Sequence, residues 1–370
     1  MKIQKGLLKQ LSRKVKEPEW LLNKRLKYLG LYNSKEFDKY FRHGLSIILN
    51  TGNFNFDESL INSKSNIIIT SNKAIIKPVD DSVKDLIFNL NVNNDKLSLM
   101  HKAFCFNCNL ILIPKNTEAE IELIGDANFL HTIIIAEENS KAVIKENFKV
   151  NSLMSRGVEI FAKENAKIEF LTSTVSKEGY YFAEYNANLD TNAELKWFNA
   201  LKDGKFSRII IETNLNGQNS RVKTASMAIL KDKSQADIYT LSKHNNKLTF
   251  SDTLAKGVVK DSSKLLIRGL TRVEKNAHNS DGYEKADILI LDNAEADAIP
   301  NLEIENNDVR CTHGATIGQI EKEKLFYLQS RGLNEKEAKN LIVGGFFEPL
   351  LKFFSDNENK INEIRQVIKC

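Results

Sequence analysis

A short motif recurs along the middle of the chain: a polar turn, then a small residue, then alternating polar and apolar residues. The small residues of the five clearest copies are Ala166, Ala193, Ser220, Ala236 and Ser263, with successive spacings of 27, 27, 16 and 27 residues. Recurrence at such a period is typical of stacked supersecondary units. Because strands make up the unit, we predict a β-solenoid, in which each rung buries its inward residues against its neighbours. The imperfect period leaves a large sandwich of irregular strands as the alternative.

Short β-rich runs fill the chain from about Leu45 to Val309, and we expect sheet character to end near Asn307. Examples are SNIIIT, TIIIA, VEIFA, RIIIET and ILILD. No helix-length amphipathic segment joins these runs, which disfavours a doubly wound α/β sheet. The predicted fold class is therefore mainly β, with a solenoid flanked by N-terminal and C-terminal α-helical segments.

The first 45 or so residues are predicted to be helical. An amphipathic helix explains the basic segment MKIQKGLLKQLSRKVK better than an organelle transit peptide does, because an ordinary structured segment follows it. In the next helix, Pro18 suits the first turn, where its missing N–H costs nothing. Gly30 is a candidate terminator of that helix.

The C-terminal stretch EKEKLFYLQSRGLNEKEAKNLIVGGFFEPLLKFF predicts two helices in a hairpin. Gly332 is expected to end the first helix, and Asn334 with Glu337 forms a capping box that opens the second. A third helix is expected over residues 356–370. The predicted organisation is an N-terminal helical or mixed segment (1–95), a β-helix core (96–308) and a C-terminal helical domain (309–370).

Composition excludes several classes of protein. The net charge of +5 is too mild to indicate nucleic-acid binding, and no basic stripe interleaved with aromatic residues occurs. No run of about 18 apolar residues suggests a membrane span. Four cysteines without a secretory signal do not indicate a disulfide framework, so we expect a reducing compartment. The cytoplasm is the first choice, and an organelle stroma is the second.

Catalytic motifs are absent from the sequence. It contains no P-loop, no GxGxxG after a strand, no GxSxG and no HExxH. Cys105 and Cys108, with His101, offer three potential zinc ligands in an H-x3-C-x2-C arrangement. No fourth ligand follows nearby, so we favour structural cysteines.

Cys311 and His313 form the second candidate site, within VRCTHGATIGQI. If this segment is extended, residues two apart share one face, and both side chains project together. Thiolate and imidazole suit zinc, copper or iron–sulfur ligation. Two ligands are too few for a closed site. Either other residues converge on them, a second subunit completes the site, or binding is transient. The remaining alternative is a turn between sheet and helix that happens to contain a cysteine and a histidine.

Arg310 to Leu351, RCTHGATIGQIEKEKLFYLQSRGLNEKEAKNLIVGGFFEPLL, resembles the C-terminal signature of the SufB/SufD family of iron–sulfur cluster assembly proteins. KEPEWLLNKRLKYL resembles the entry helix of the same family. The CTHGAT turn is most similar to that of SufD, with Thr312 in place of serine. The resemblance implies a right-handed parallel β-helix, and the chain's length implies a reduced N-terminal domain.

The resemblance also implies a role as a non-catalytic scaffold subunit. Such chains pair with SufB through their β-helices and bind the ATPase SufC through the C-terminal helices. ATP hydrolysis is expected in SufC, with no nucleotide bound by this chain. A transient iron–sulfur cluster, shared with the partner, is expected at His313, with Cys311 beside it. The residues predicted to bind partners are Phe326, Tyr327, Arg331, Leu341, Phe346 and Phe347.

The sequence is also compatible with two alternatives. One is a SufB-like scaffold that acts as a homodimer. The other, from a different class, is a carbohydrate-active β-helix enzyme, which would need a carboxylate cluster or a strong base on one face of the solenoid.

Overall fold

The structure is a computed structural model of the 370-residue chain. It describes residues 3–37, 40–41, 47–50, 54, 56–62, 66–90, 94–176, 178–354, 361–362 and 365. Most of the third helix predicted over 356–370 lies outside the described residues.

Two helices and several short elements open the chain. The helices are α1 (Lys5–Val15) and α2 (Glu19–Ser34), followed by the paired strands β1 (Tyr40–Phe41) and β2 (Leu49–Asn50). The predicted amphipathic first helix is confirmed, whereas α2 ends at Ser34 and the described residues from there to residue 45 are not helical. Gly30 does not end α2, because continuation of the helix buries Tyr32 in the core.

Two parallel sheets of nine strands each form the centre of the molecule, which confirms the predicted β-solenoid. The strands are β3 (Ile68–Ser71), β4 (Ile75–Pro78), β5 (Cys108–Ile113), β6 (Glu118–Gly125), β7 (Phe129–Ala136), β8 (Lys141–Val150), β9 (Leu153–Ala162), β10 (Lys167–Ser176), β11 (Tyr180–Leu189), β12 (Glu194–Lys202), β13 (Phe206–Leu215), β14 (Arg221–Leu230), β15 (Gln235–His244), β16 (Phe250–Val259), β17 (Lys264–Val273), β18 (Ser280–Ile290), β19 (Glu295–Ile304) and β20 (Val309–Gln319).

The even-numbered strands from β6 to β20 form one sheet with β3, and the odd-numbered strands from β5 to β19 form the other with β4. Among the described strands of these sheets, only β3 and β4 pair in the antiparallel sense. The sheets therefore extend on both sides of the predicted core of 96–308, and sheet character continues to Gln319 instead of ending near Asn307.

The sequence repeat corresponds to one complete rung. Lys167 pairs with Glu194, which pairs with Arg221, so the first two 27-residue spacings of the motif separate equivalent positions in one sheet. The shorter spacing moves the motif from that sheet to the other, where Ala236 lies. Later rungs contain more residues, as the pairing of Phe250 with Asp281 shows. The period is imperfect because the turns lengthen while the strands keep their register.

Successive rungs each carry an asparagine at the same position of the turn. Asn139, Asn165, Asn192 and Asn219 all have left-handed backbone conformations, with φ between 56° and 59°. Asparagine tolerates this conformation better than most residues. The side chains also bond from rung to rung, as Asn165 Nδ2 donates to Asn139 Oδ1 over 2.9 Å. The polar turns of the repeat therefore connect neighbouring rungs.

Helices cover the sides of the solenoid but not its C-terminal end, among the described residues. Helix α3 (Lys96–Phe104) packs with α2 on the outer face of the odd-numbered sheet. Helices α4 (Lys322–Ser330) and α5 (Glu335–Phe354) form the predicted hairpin, and α5 packs on the outer face of β14 and β16. Glu337 N donates to Asn334 Oδ1 and Asn334 N to Glu337 Oε2, both over 2.9 Å, which confirms the capping box. No described helix is both long and apolar enough to cross a bilayer.

The interior is filled by side chains that alternate along each strand. Trp197 on β12 is fully buried, packs against Phe170 and Tyr185, and donates from Nε1 to Thr213 Oγ1 over 3.0 Å. Its neighbour Lys196 projects outward. We expect Trp197→Ala to lower the free energy of unfolding by about 3–5 kcal/mol, because it leaves a cavity and an unpaired hydroxyl.

Urea unfolding followed by circular dichroism measures this loss. The control is Lys196→Ala on the same strand, which should cost less than about 1 kcal/mol, as surface substitutions do. Equal losses in the two variants would contradict the assignment of inward and outward faces.

Candidate functional site at the open end of the β-helix

Cys311 and His313 lie on β20, the last strand of the solenoid, and not in a turn between sheet and helix. β20 pairs in parallel with β18 along its whole length without interruption. The segment resembles a turn in sequence because small residues, among them Gly314 and Gly318, follow the two candidate ligands. Strand pairing with β18 overrides that local preference.

β20 and β19 are the terminal strands of the two sheets. No described rung covers them, and most side chains of β20 are exposed or half-buried, including Ile317, which is 42% exposed. Ile304 on β19 is 44% exposed. The C-terminal end of the β-helix is thus open, with two neighbouring strand edges and an apolar interior accessible from outside.

Cys311 faces the interior at this open end. A methyl group added to Gly282, its register partner on β18, would lie 3.3 Å from Cys311 Sγ and 2.7 Å from the buried side chain of Thr271. Since alternate residues of a strand share a face, His313 projects to the same side as Cys311. The predicted shared face of the two side chains therefore holds.

The two side chains differ in exposure and ionisation. Cys311 is half-buried, and burial raises the pKa of its thiol, with a hydrogen bond from the Gly282 backbone acting in the opposite direction. His313 is exposed because no further described rung lies beyond it. An exposed imidazole beside a half-buried thiol offers one nitrogen and one sulfur donor to a soft or borderline metal.

Glu284, the register partner of His313 on β18, was not predicted from the sequence as a site residue. Glu284 is 4% exposed, and burial raises its pKa to about 8. A methyl group on Gly269 of β17 would lie 1.3 Å from Glu284 Oε1, so the carboxyl group lies directly over that glycine. The only signal in the sequence was a glycine on one strand and an acid on another. Their proximity becomes apparent only once the strands are placed in the solenoid.

Within the described residues, no three or more His, Cys, Asp and Glu side chains lie close enough together to hold a metal ion. The open end therefore has fewer donors than the four that an iron–sulfur cluster typically takes. Any cluster held there as cargo would need ligands from a second molecule.

Cys105 and Cys108 are buried free thiols, as the structural interpretation expected. The adjacent Cys105 lowers the pKa of Cys108 to about 6, and the nearby Arg25 guanidinium, 3.5 Å from Cys108 Sγ, acts in the same direction. His101 instead contacts His131 and Ser155, with ring-nitrogen distances of 3.1 and 2.9 Å.

The residues predicted to bind partners fall into two groups. Phe326, Tyr327 and Leu341 are 72%, 57% and 57% exposed, and α4 buries none of its side chains. Phe347, in contrast, is fully buried against the outer face of the β-helix, so its assignment to partner binding is wrong. It lies on the face of α5 that holds this helix to the solenoid.

The two remaining residues differ in what they contact within the chain. Phe346 is half-buried, with Lys256 Nζ 4.3 Å from its ring centroid. Arg331 is exposed, and its guanidinium lies 5.4 Å from the ring of Tyr327.

The chain is similar to known proteins of one family. Residues 117–346 match the family described as "SUF system FeS cluster assembly, SufBD core domain". The chain is 30% identical over 240 residues to iron–sulfur cluster assembly protein SufD of Escherichia coli, a match that covers 64% of this chain and 57% of the relative. It is 30% identical over 247 residues to a SufBD family protein of Mycobacterium leprae, covering 65% of this chain and 28% of that protein.

A third relative is a SufBD family protein of Staphylococcus saprophyticus, 28% identical over 274 residues, which cover 70% of this chain and 59% of that protein. The matched regions thus span between about a quarter and three fifths of these relatives.

The raised pKa of Glu284 predicts a pH-dependent stability. The folded chain keeps this proton up to a pKa of about 8, whereas the unfolded chain loses it near 4.5. Stability from this group is therefore complete below pH 4.5 and falls as the pH rises to 8. Since one pKa unit corresponds to about 1.4 kcal/mol, Glu284→Gln should become the more stable protein by up to a few kcal/mol across that range.

Urea unfolding of both proteins at a series of pH values measures this difference. Glu305→Gln, at an exposed carboxylate, serves as the control and should show little pH-dependent difference. A constant difference between Glu284→Gln and the parent chain would show that Glu284 is not buried as described.

Proposed function

The chain belongs to the SufBD family of the SUF system for iron–sulfur cluster assembly, where it is SufD-like, and from this premise we propose that it is a scaffold subunit. In this role it contributes part of a site at which a nascent cluster is held as cargo. Its partners are a SufB-like paralogue, or a second copy of itself, and a SufC-like ATPase that hydrolyses ATP.

One observation supports this function most directly. His313 and Cys311 point into the open end of the β-helix, on a strand whose outer edge is unpaired among the described residues. A nitrogen and a sulfur donor suit iron, while their small number favours a site that is completed across an interface. Incomplete ligation by each subunit also allows the cluster to be released, as a scaffold requires.

The free edge of β20 supports pairing with another β-helix. An exposed strand edge offers unpaired N–H and C=O groups and is a ready template for another chain. Natural proteins usually protect such edges with proline, charge or a bulge. β20 is long, contains no proline, and keeps its register with β18 throughout. A second β-helix end of similar geometry would satisfy these groups and cover Ile317 and Ile304.

The exposed surface of α4 supports binding of the ATPase. Phe326 and Tyr327 project from a helix that buries no side chain, and Leu341 on α5 adds to the same hairpin. Exposed aromatic residues are favoured anchors of protein interfaces. We assign Phe326, Tyr327 and Leu341 to this interface and Phe347 to the attachment of α5 to the β-helix.

The location proposed for the chain is the cytoplasm or an organelle stroma. Cys105, Cys108 and Cys311 are free thiols in the described part of the chain. Reducing compartments keep thiols in this state.

His313→Ala tests the cluster site. We expect cluster formation by the complex with its SufB-like and SufC-like partners to fall by at least about tenfold, the scale of loss when groups at metal sites are removed. The folded structure and ATPase binding should be retained because His313 is exposed. Formation of the iron–sulfur chromophore, followed by visible absorption under anaerobic conditions, is the measurement.

Thr312→Ala is the matched control, because Thr312 is also exposed on β20 and projects to the opposite face. Cluster formation at the parent rate in His313→Ala would place the site elsewhere. Native mass measurement of the parent chain with its partners distinguishes a heterodimer from a homodimer, the second of which would support the SufB-like alternative.

Phe326→Ala tests the ATPase interface. A central aromatic anchor typically contributes about 2 kcal/mol or more, so we expect affinity for the SufC-like ATPase to fall by about thirtyfold. Isothermal titration calorimetry measures the change. Leu31→Ala, at a 40% exposed apolar side chain on α2, is the control and should bind as the parent does. Unchanged affinity in Phe326→Ala would exclude α4 from the interface.

A further inference from the structure

Glu284 is a buried acid without a hydrogen-bond or ion-pair partner among the described residues. Buried charged or polar groups are normally paired, because an unpaired one costs free energy. In contrast, Glu146, an acid buried further inside the β-helix, forms an ion pair with the Arg156 guanidinium. Glu284 therefore lacks a hydrogen-bond partner in its position over Gly269.

The fold makes specific room for this carboxyl group. Gly269 lies across the interior on β17, and any side chain there would collide with the carboxyl group of Glu284. The neighbouring positions of the same inward row of β17 carry Ile267 and Thr271. Space for an acid is thus present at one position of a row that is otherwise filled by larger side chains.

Glu284 forms no hydrogen bond with the other described residues, and His313 lies beside it on the next strand. His313 can therefore serve as its hydrogen-bond partner. The two residues are register partners on adjacent parallel strands and face the same side. Neighbouring strands lie about 4.8 Å apart, and a glutamate side chain is long enough to bring its carboxyl group to an imidazole at that separation. Rotation about its own side-chain bonds, from Gly269 toward the open end, suffices.

We propose that Glu284 is the positioning residue for His313, forming a hydrogen bond to one ring nitrogen and leaving the other nitrogen directed out of the open end. Histidines that bind metal commonly donate their second ring N–H to a carboxylate, which fixes the tautomer and the orientation of the ring. This proposal rests on the proposed function in one respect only: the iron–sulfur cluster carried as cargo would bind the free ring nitrogen of His313. The hydrogen bond lies within one chain and forms when the carboxyl group turns from Gly269 toward His313.

Nitrogen NMR of the full chain, labelled with ¹⁵N-histidine, tests the proposal without any partner or iron. At pH 9, where Glu284 is ionised, the carboxylate accepts a proton from one ring N–H of His313. We expect one ring nitrogen of His313 to resonate as fully protonated and the other as unprotonated. In Glu284→Leu both resonances should shift toward their average, as in a freely exposed imidazole. His313→Ala identifies the signals.

Two further variants separate positioning from a general structural effect. Glu284→Gln keeps an oxygen acceptor of similar shape and should retain much of the tautomer preference, whereas Glu284→Leu should lose it. Thr253→Val changes the register neighbour of Glu284 one rung further from the open end and should leave the His313 signals unchanged. Identical His313 signals in the parent chain and in Glu284→Leu would overturn the proposal.

The result is independent of the test of the proposed function. A change of tautomer in Glu284→Leu, combined with normal cluster formation in His313→Ala, would refute the cluster site and keep the pairing of the two side chains. No change of tautomer, combined with lost cluster formation in His313→Ala, would refute the role of Glu284 and keep the cluster site.

Discussion

Backbone pairing between strands of successive rungs is the interaction on which the rest of the structure depends. Each strand from β5 to β18 has a neighbour on both sides, and the ladder satisfies its N–H and C=O groups. A solenoid cannot continue this pattern at its ends. At the N-terminal end, β3 and β4 pair in the antiparallel sense and the chain turns away. At the C-terminal end, β19 and β20 stop with their outer edges available among the described residues, and the candidate ligands lie on one of them.

The interior changes character along a single row of side chains that leads to that end. Phe170 and Trp197 pack in the row near the middle of the solenoid and belong to its hydrophobic core. Thr224 and Thr253 follow in register, and then Glu284 and His313. The same row of inward positions thus holds packed aromatic residues in the middle of the solenoid and polar groups at the open end. His313 occupies the last position of this row, so the candidate site continues the core and is not a separate surface feature.

The sequence predicted the repeat because strand alternation and polar turns are local signals. It also predicted that Cys311 and His313 share a face, since that depends only on extended backbone. It could not reveal that β20 is a paired strand, because this depends on register with β18, which belongs to the preceding rung. Glu284 was missed for the same reason. Phe347 was misassigned because a helix with apolar residues on several sides does not show which side meets its own chain.

The short link between β20 and α4 connects the candidate site to the proposed ATPase surface. β20 ends at Gln319 and α4 begins at Lys322, so only Ile320 and Glu321 separate them. Ile320 packs against the apolar cluster beneath α5, which fixes one end of this link to the β-helix. A displacement of α4 by a bound partner would therefore act on the edge strand within a few residues of His313. In the proposed complex, this connection would let movement of the ATPase change the contact between the two subunits without passing through the rigid core.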